Sequence, residues 1–461
     1  MTLPLDQDLE QLESLLHHTV EQAWAYLQEI GDRPAATDFV PQPMLSLPDQ
    51  GQGAAAALDL FMHRYGHAMP ASNGPRFWGF VTGGTTPAAL MGDWLTSTYD
   101  LNLTSVANST APNIEQEAVQ WLRQLFGLPP EFGGTFVTGA TMSNLVGLAI
   151  AREWVAQQQQ RSIADEGLQA IPPITVLSGI AHSSIYKALA ILGMGRQSLK
   201  PVPLLPGNRE AVDVAALRQA LEQQDGQPCI VVGNAGTVNT VDFDDLGAIA
   251  ALKTEFPFWF HVDAAFGGFA ACSPQYRSLT AGMTTADSLT IDAHKWLNVP
   301  YDAALLFTPH RALQLAVFQN SAAYLGAMGD PPDFVHLSPE NSRRMRALPT
   351  WFSLMAYGQG GYQALVERNC AQAQAFAGHI EAAHQFRLLA PVRLNGVCFT
   401  LAENPSEERV TAFLTRLRQD GRIFLTPTVY QGIPAIRAAF TNCRTREADV
   451  AIAWQALQDC C

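Results

Sequence analysis

The stretch Asp292-Ala293-His294-Lys295-Trp296-Leu297-Asn298 follows the apolar-rich run Ser288-Leu289-Thr290-Ile291, and its reading decides the fold. A lysine between a histidine and a tryptophan, just past a strand-like run, is an odd setting for a solvated side chain. Earlier, the run Phe258-Trp259-Phe260-His261-Val262 ends in Asp263 and passes into Ala264-Ala265-Phe266-Gly267-Gly268. Outward from these two points, β-branched or aromatic runs recur at 135–137, 174–177, 229–232, 259–262 and 303–307, separated mostly by helical segments. That alternation predicts an α/β domain with a mostly parallel sheet. Ligands in such sheets sit beyond the carboxyl ends of the strands, where Asp263 and Lys295 fall.

The flanks read differently. Residues from about 8 to 30 have helical spacing, with Leu9, Leu12, Leu15, Leu16, Val20, Ala23, Trp24 and Leu27 in one apolar stripe. A connector studded with Pro34, Pro41, Pro43 and Pro48 follows. Such an arm cannot form a core alone, so it must pack on the rest of the chain or on a second copy. From about 350, a long helical stretch (351–381) precedes short strands at 397–401 and 435–440 and a final helix from about 446. The expected division is a helical arm and dimerisation segment (1–82), a large α/β domain (83–348) and a small α+β domain (349–461). Gln157-Gln158-Gln159-Gln160 reads as the solvated continuation of a helix.

Nearly half of the 461 residues are hydrophobic and 15% are charged, which excludes a disordered chain. The formal charge of −14 argues against general binding to nucleic acid or anionic membranes. The seven cysteines form no CxxC pair and no zinc-like spacing; they suit a reducing compartment as small buried hydrophobes, with Cys460-Cys461 expected to be exposed. His63 and His67 stand four apart, but Gly66 lies between them and no acidic ligand is near, so no metal site is read. Asp6, Asp8, Glu10 and Glu13 interrupt the opening segment, which is therefore no signal peptide, and no apolar run approaches a membrane span. The expected location is the cytoplasm.

Lys295 and Asp263 are together what a pyridoxal 5'-phosphate enzyme needs: a Schiff-base lysine, and a carboxylate that keeps the pyridine nitrogen protonated. Alone, Asp263 reads equally as a helix N-cap; Ala264 and Ala265 leave space beside it for a flat ring. Thr138-Gly139-Ala140-Thr141-Met142-Ser143-Asn144, between a strand and a helix, offers free N–H groups and hydroxyls to a phosphate. Ala140, Thr141 and Ser143 are its candidate contacts. His182, in Ala181-His182-Ser183-Ser184, is a candidate to stack on the ring, or else a cap. Asn234 can meet the cofactor's phenolic oxygen or serve a turn. His294 is a phosphate or proton-transfer candidate, and Ala265 and Asp292 complete the expected cofactor set. Arg437 suits a substrate carboxylate or an ion pair.

The motifs Ala181-His182-Ser183-Ser184, His261-Val262-Asp263-Ala264-Ala265 and Asp292-Ala293-His294-Lys295-Trp296 resemble those of the group II pyridoxal-dependent decarboxylases, fold type I enzymes that include aromatic-L-amino-acid decarboxylases. The resemblance runs from Pro75-Arg76-Phe77-Trp78-Gly79-Phe80 to Arg437-Ala438-Ala439-Phe440-Thr441-Asn442. It implies a large domain with a seven-stranded-type sheet, a small C-terminal domain and a homodimer clasped by the N-terminal segment, with the active site at the subunit interface. It makes Lys295 the internal aldimine lysine, Asp263 the pyridinium partner and His182 the stacking base. It places Ala140 and Thr141 at the phosphate, and Phe77, Trp78 and Phe80 in the substrate pocket, which tilts the expected substrate toward aromatic L-amino acids; core packing is the alternative for these three. The implied reaction is decarboxylation through a quinonoid intermediate. The family also carries a loop tyrosine that protonates the quinonoid carbon. Alignment of Asp333-Phe334-Val335-His336 puts Phe334 at that position, and members with this exchange resemble oxygen-using aldehyde synthases. Tyr324, His336 or a water are the alternative donors, and a fold type I aminotransferase or lyase is the alternative reaction class.

Overall fold

Seven short apolar runs pair into one sheet: β1 (Gly133–Val137), β2 (Val176–Ser178), β3 (Leu199–Pro201), β4 (Cys229–Asn234), β5 (Phe258–Asp263), β6 (Ser288–Ile291) and β7 (Ala304–Thr308). Their order is β1-β7-β6-β5-β4-β2-β3. Strands β3, β2, β4, β5 and β6 are mutually parallel, and β7 runs antiparallel to both β6 and β1. The computed structural model describes residues 4–38, 40, 42–103, 109–320 and 332–461.

Burial on both faces explains the near-continuous hydrophobicity of these strands. Cys229, Val231, Phe258, Phe260, Leu289 and Ile291 point into one apolar cluster, while Ile230, Val232 and Trp259 point into another on the opposite face. The period of two therefore sends Trp259, His261 and Asp263, and likewise Ser288 and Thr290, toward a single face. The helix Ala140–Gln157 lies there, packed on β5, β6 and β7.

A second, antiparallel sheet orders as β10-β11-β9-β8, from β8 (Phe386–Leu388), β9 (Gly396–Leu401), β10 (Thr426–Tyr430) and β11 (Ile433–Ala439). Trp78 joins this layer: its N–H donates to the Phe424 carbonyl, its carbonyl accepts from Ala439, and its buried ring packs on Phe376 and Phe440. The helix Ala347–Ala382 packs on β8 and β9 and on the helices Pro87–Tyr99 and Ala111–Leu125, and it kinks at Gly358, whose φ of 56° suits glycine.

Three expectations are corrected. The opening helix is two, Pro4–Glu10 and Leu12–Gln28. Its stripe is uncovered within this chain, Leu9 and Trp24 being 63% and 59% exposed. The glutamine run does not extend a helix, because Ala140–Gln157 ends at its first member and Gln160 turns at φ 58°. Cys460 is buried and only Cys461 is exposed. Among the described residues no helix is long and apolar enough to cross a membrane.

One buried ion pair ties the large sheet to its neighbours. Glu115, on the helix Ala111–Leu125, accepts two bonds from the Arg343 guanidinium, at 2.6 and 3.0 Å, and a third from the Phe136 N–H of β1. Both side chains are almost wholly buried. Glu115→Ala would strand the cation, with an expected loss of about 3–5 kcal/mol. Urea unfolding should show a lower midpoint at an unchanged slope.

Candidate active site

The carboxyl ends of β4, β5 and β6, the start of the helix Ala140–Gln157 and the Arg437 strand β11 converge on a cavity of about 360 Å³. That volume suits a small cofactor with its substrate. Asp263, the last residue of β5, is 8% exposed; its Oδ2 accepts from Asn144 Nδ2 (3.0 Å) and its Oδ1 from the Ala265 N–H (3.2 Å). Lys295 sits in the turn of helix that follows β6, its Nζ 3.6 Å from Asp292 Oδ2 and 5.5 Å from the centre of the Phe266 ring.

Asp292 gathers this end of the site. Its Oδ2 accepts from the Ala140 N–H at 3.3 Å, and its Oδ1 lies 3.0 Å from His294 Nε2, off the angle of a hydrogen bond. His294 Nδ1 accepts from the Ala303 N–H. The helix Ala140–Gln157 has no side-chain cap at Gly139; with the Ala140 N–H taken by Asp292, Thr141 is left to offer its N–H and hydroxyl to an anion in the cavity.

His182 caps the helix Ser183–Ile191: its Nδ1 accepts from the Ser184 N–H at 3.2 Å and lies 2.8 Å from Ser184 Oγ. Since Nδ1 accepts, a neutral ring carries its proton on Nε2. Burial holds its pKa below the usual histidine value, against the opposing pull of Asp263. Asn234 donates through its N–H and its Nδ2 to Asp244 Oδ2, and burial pushes the Asp244 carboxyl up to about 6. Arg437 donates to the Val238 and Phe80 carbonyls; among the described residues no carboxylate pairs with it and its buried Nε has no partner.

Ala140, Thr141, His182, Asn234, Asp263, Ala265, Asp292, His294, Lys295, Phe80 and Arg437 all line this one cavity. Four expected residues do not. Trp78 is fully buried against Phe376 and Phe440. Ser143 is fully buried and turns its hydroxyl to Thr290 Oγ1 and the Leu305 carbonyl. Phe77 stacks on Phe424 with ring centres 4.6 Å apart. Phe334 is 5% exposed in an apolar cluster with Leu103, Leu337 and Met345, under the Arg343 guanidinium. In this chain Phe334 is thus held by its own subunit's core rather than presented on an exposed loop. His336 is also buried, its Nδ1 accepting from the Asn320 N–H, and Tyr324 lies outside the described residues. Phe334→Tyr is accordingly expected to leave the amine-to-aldehyde ratio unchanged and to cost about 1–3 kcal/mol for the buried hydroxyl. Product analysis and thermal melting check the two parts.

The site also uses residues that the motifs did not flag. Tyr301 packs on His294 with ring centres 4.2 Å apart. Asn298, at φ 57°, bridges the lysine segment to the rest of the molecule: its Oδ1 accepts from the Gly84 and Cys443 N–H groups, and its Nδ2 donates to the Trp296 and Thr441 carbonyls. A Cβ at Gly83 would collide with the Lys295 carbonyl, so only glycine lets that strand pass. The paired Gly83-Gly84 was the one legible sign of this close approach.

These residues fit pyridoxal phosphate. A lysine amine, an acceptor carboxylate at the carboxyl end of the neighbouring strand, a flat imidazole and an uncapped helix start share one cavity, and among the described residues no carboxylate pairs with Arg437. Fold and site together define a fold type I pyridoxal-phosphate-dependent enzyme.

The family model of the pyridoxal-dependent decarboxylase conserved domain matches residues 67–402. The aromatic-L-amino-acid decarboxylase of Drosophila lebanonensis is 32% identical over 393 residues, 82% of this chain and 95% of that one. Phenylacetaldehyde synthase of Arabidopsis thaliana is 26% identical over 479 residues, 98% of this chain and 96% of that one. Among solved structures, Oryza sativa TDC with PLP and tryptamine superposes with a TM-score of 0.90 at 22% identity, covering 98% of this chain and 97% of that one. The chain belongs to the pyridoxal-dependent decarboxylases, and its cofactor is pyridoxal phosphate.

Proposed function

We propose that this enzyme decarboxylates an aromatic L-amino acid to its amine, with Lys295 as the covalent anchor of the cofactor. The observation that carries the reading is the opening of Lys295, Asp263 and His182 onto one cavity. Bound pyridoxal phosphate supplies an electrophilic aldehyde and a ring that takes up the electron pair left when the carboxylate carbon departs. Asp263 holds the ring nitrogen's proton through a charge-assisted bond. His182, as the neutral Nε2–H form, would stack on the ring. The N–H and hydroxyl of Thr141, with Ala140 beside it and His294, would hold the phosphate, and Asn234 would meet the ring's polar edge.

Arg437 orients the substrate carboxylate, being a half-buried cation with no carboxylate partner among the described residues. Phe80, Ile180, Val238 and Phe266 present an apolar wall to the side chain and exclude water. The name of the 32% identical relative agrees with an aromatic substrate. We further place the arm at 1–82, the cofactor domain at 83–348 and the small domain at 349–461. The uncovered Leu9–Trp24 stripe supports a homodimer in which a second copy covers it.

The test is product analysis by mass spectrometry of holoenzyme incubated in air with L-tryptophan, L-tyrosine, L-phenylalanine and L-dopa. Amine and carbon dioxide in equal amounts, without peroxide, are expected. Aldehyde with matching peroxide would replace this reading by an oxygen-using synthase, the activity named for the Arabidopsis relative. Amino transfer to a keto acid would replace it by an aminotransferase.

A further inference from the structure

Behind Asp263, on the face of the sheet under the helix Ala140–Gln157, lies a chain of polar side chains in a layer otherwise apolar. Trp259 Nε1 is 2.9 Å from Ser288 Oγ, which is 2.7 Å from His261 Nδ1. His261 Nε2 is 2.9 Å from Asn144 Oδ1, and Asn144 Nδ2 is 3.0 Å from Asp263 Oδ2. The two ends fix every direction between them. An indole N–H only donates and a carboxylate only accepts, so Asn144 turns its amide nitrogen to Asp263 and its oxygen to His261. His261 must then carry its proton on Nε2 and accept at Nδ1 from the Ser288 hydroxyl. Burial pushes its pKa down to about 4, which keeps it in this neutral form.

Asn144 is the branch point. Its second Nδ2 hydrogen reaches Ser184 Oγ at 3.0 Å, and that hydroxyl faces His182 Nδ1 at 2.8 Å. Its Oδ1 also accepts from Thr290 Oγ1 at 2.7 Å. Fully buried, the amide thus makes the four hydrogen bonds an asparagine can make, and no other side chain of that size offers two donors and two acceptors there. Three residues along the helix, Gly147 admits the His261 ring: a Cβ there would meet Cε1 at 2.8 Å.

We propose that Asn144 is a positioning residue that sets the cofactor's ring by holding both of its protein partners at once. It fixes the angle of the Asp263 carboxylate directly and the plane of the His182 ring through Ser184. The proposal rests on the roles assigned above to Asp263 and His182, and it assigns Asn144 no contact with substrate.

The test measures pyridoxal phosphate binding to apoprotein by fluorescence quenching. It also records the nitrogen resonance of ring-15N-labelled cofactor in the holoprotein. Asn144→Asp replaces a donor to Asp263 by a second carboxylate. Its cofactor dissociation constant is expected to rise about 10–100-fold, the effect of leaving buried polar groups unpaired, with a displaced ring 15N resonance. Thr290→Val removes one support of the Asn144 oxygen; a rise of about 2–10-fold with a smaller displacement in the same direction is expected. A folded Asn144→Asp protein with wild-type affinity and wild-type resonance would overturn the proposal and leave Asn144 as a packing residue. Should Asn144→Asp fail to fold, wild-type values for Thr290→Val would overturn it equally. If wild-type apoprotein fails to take up the cofactor, the site reading itself falls.

Discussion

Lys295→Ala is expected to cut carbon dioxide release by about 10²–10⁴-fold or more, the scale lost when a positioned reacting group is removed. The loss should be chemical rather than structural. Gly83 packs against the lysine's carbonyl and its N–H donates to the His294 carbonyl; neither contact uses the Lys295 side chain. What that side chain touches is the Asp292 carboxylate, at 3.6 Å, and the face of Phe266. Asp292 keeps its bond from the Ala140 N–H when the amine is gone. The anion cradle at the helix start, Asp263 and His182 also remain, so the variant should still hold pyridoxal phosphate non-covalently. Gel filtration followed by absorbance should therefore find cofactor that borohydride cannot attach to the chain. Turnover within tenfold of wild type would remove Lys295 from the centre of the reaction.

The parts of this site that were legible in the sequence share one cause. A residue at the carboxyl end of an apolar strand has little choice of position, so Asp263, Asp292 and Lys295 could be placed from the runs that precede them. The turn residues Ala140, Thr141 and His182 followed from the same logic. Ser143 did not, because its helical phase turns it onto the sheet rather than into the cavity. Phe77 and Phe80 differ by one such phase: the first stacks on Phe424, while the second, at φ 58°, swings into the cavity. The burial of Phe334 was not legible, because register after a long connector carries no periodic signal and burial is a tertiary fact. Asn144 lies in the same turn, but nothing in that segment alone shows which groups its amide meets. The sign of its role was the alternation Trp259, His261, Asp263 beside Ser288, Thr290, Asp292. Polar side chains at every second position of two central strands demand buried partners, and the facing helix has to supply them.

Asp263→Asn should lower kcat by about 10–100-fold even with cofactor in excess, because a neutral amide cannot make the charge-assisted bond to a protonated ring nitrogen. A second effect comes from hydrogen-bond arithmetic. The carboxylate accepts from Asn144 Nδ2 and from the Ala265 N–H on its two oxygens. An amide has one oxygen, so one donor must lose its partner, and the new NH₂ then faces a donor. If it turns its oxygen to Asn144, the Ala265 N–H is abandoned; if it turns the other way, two amide nitrogens confront each other at about 3 Å, the spacing of the present bond. An unpaired buried donor costs about 1–3 kcal/mol, and cofactor affinity should therefore fall about 10-fold or more. The two effects separate by experiment. Titrating cofactor to saturation restores occupancy but not the ring's charge, so kcat should stay low at any concentration. Recovery of the wild-type kcat at saturation would reduce Asp263 to an anchoring group. An unchanged dissociation constant together with an unchanged kcat would mean that the ring lies elsewhere in the cavity, with its nitrogen turned from β5.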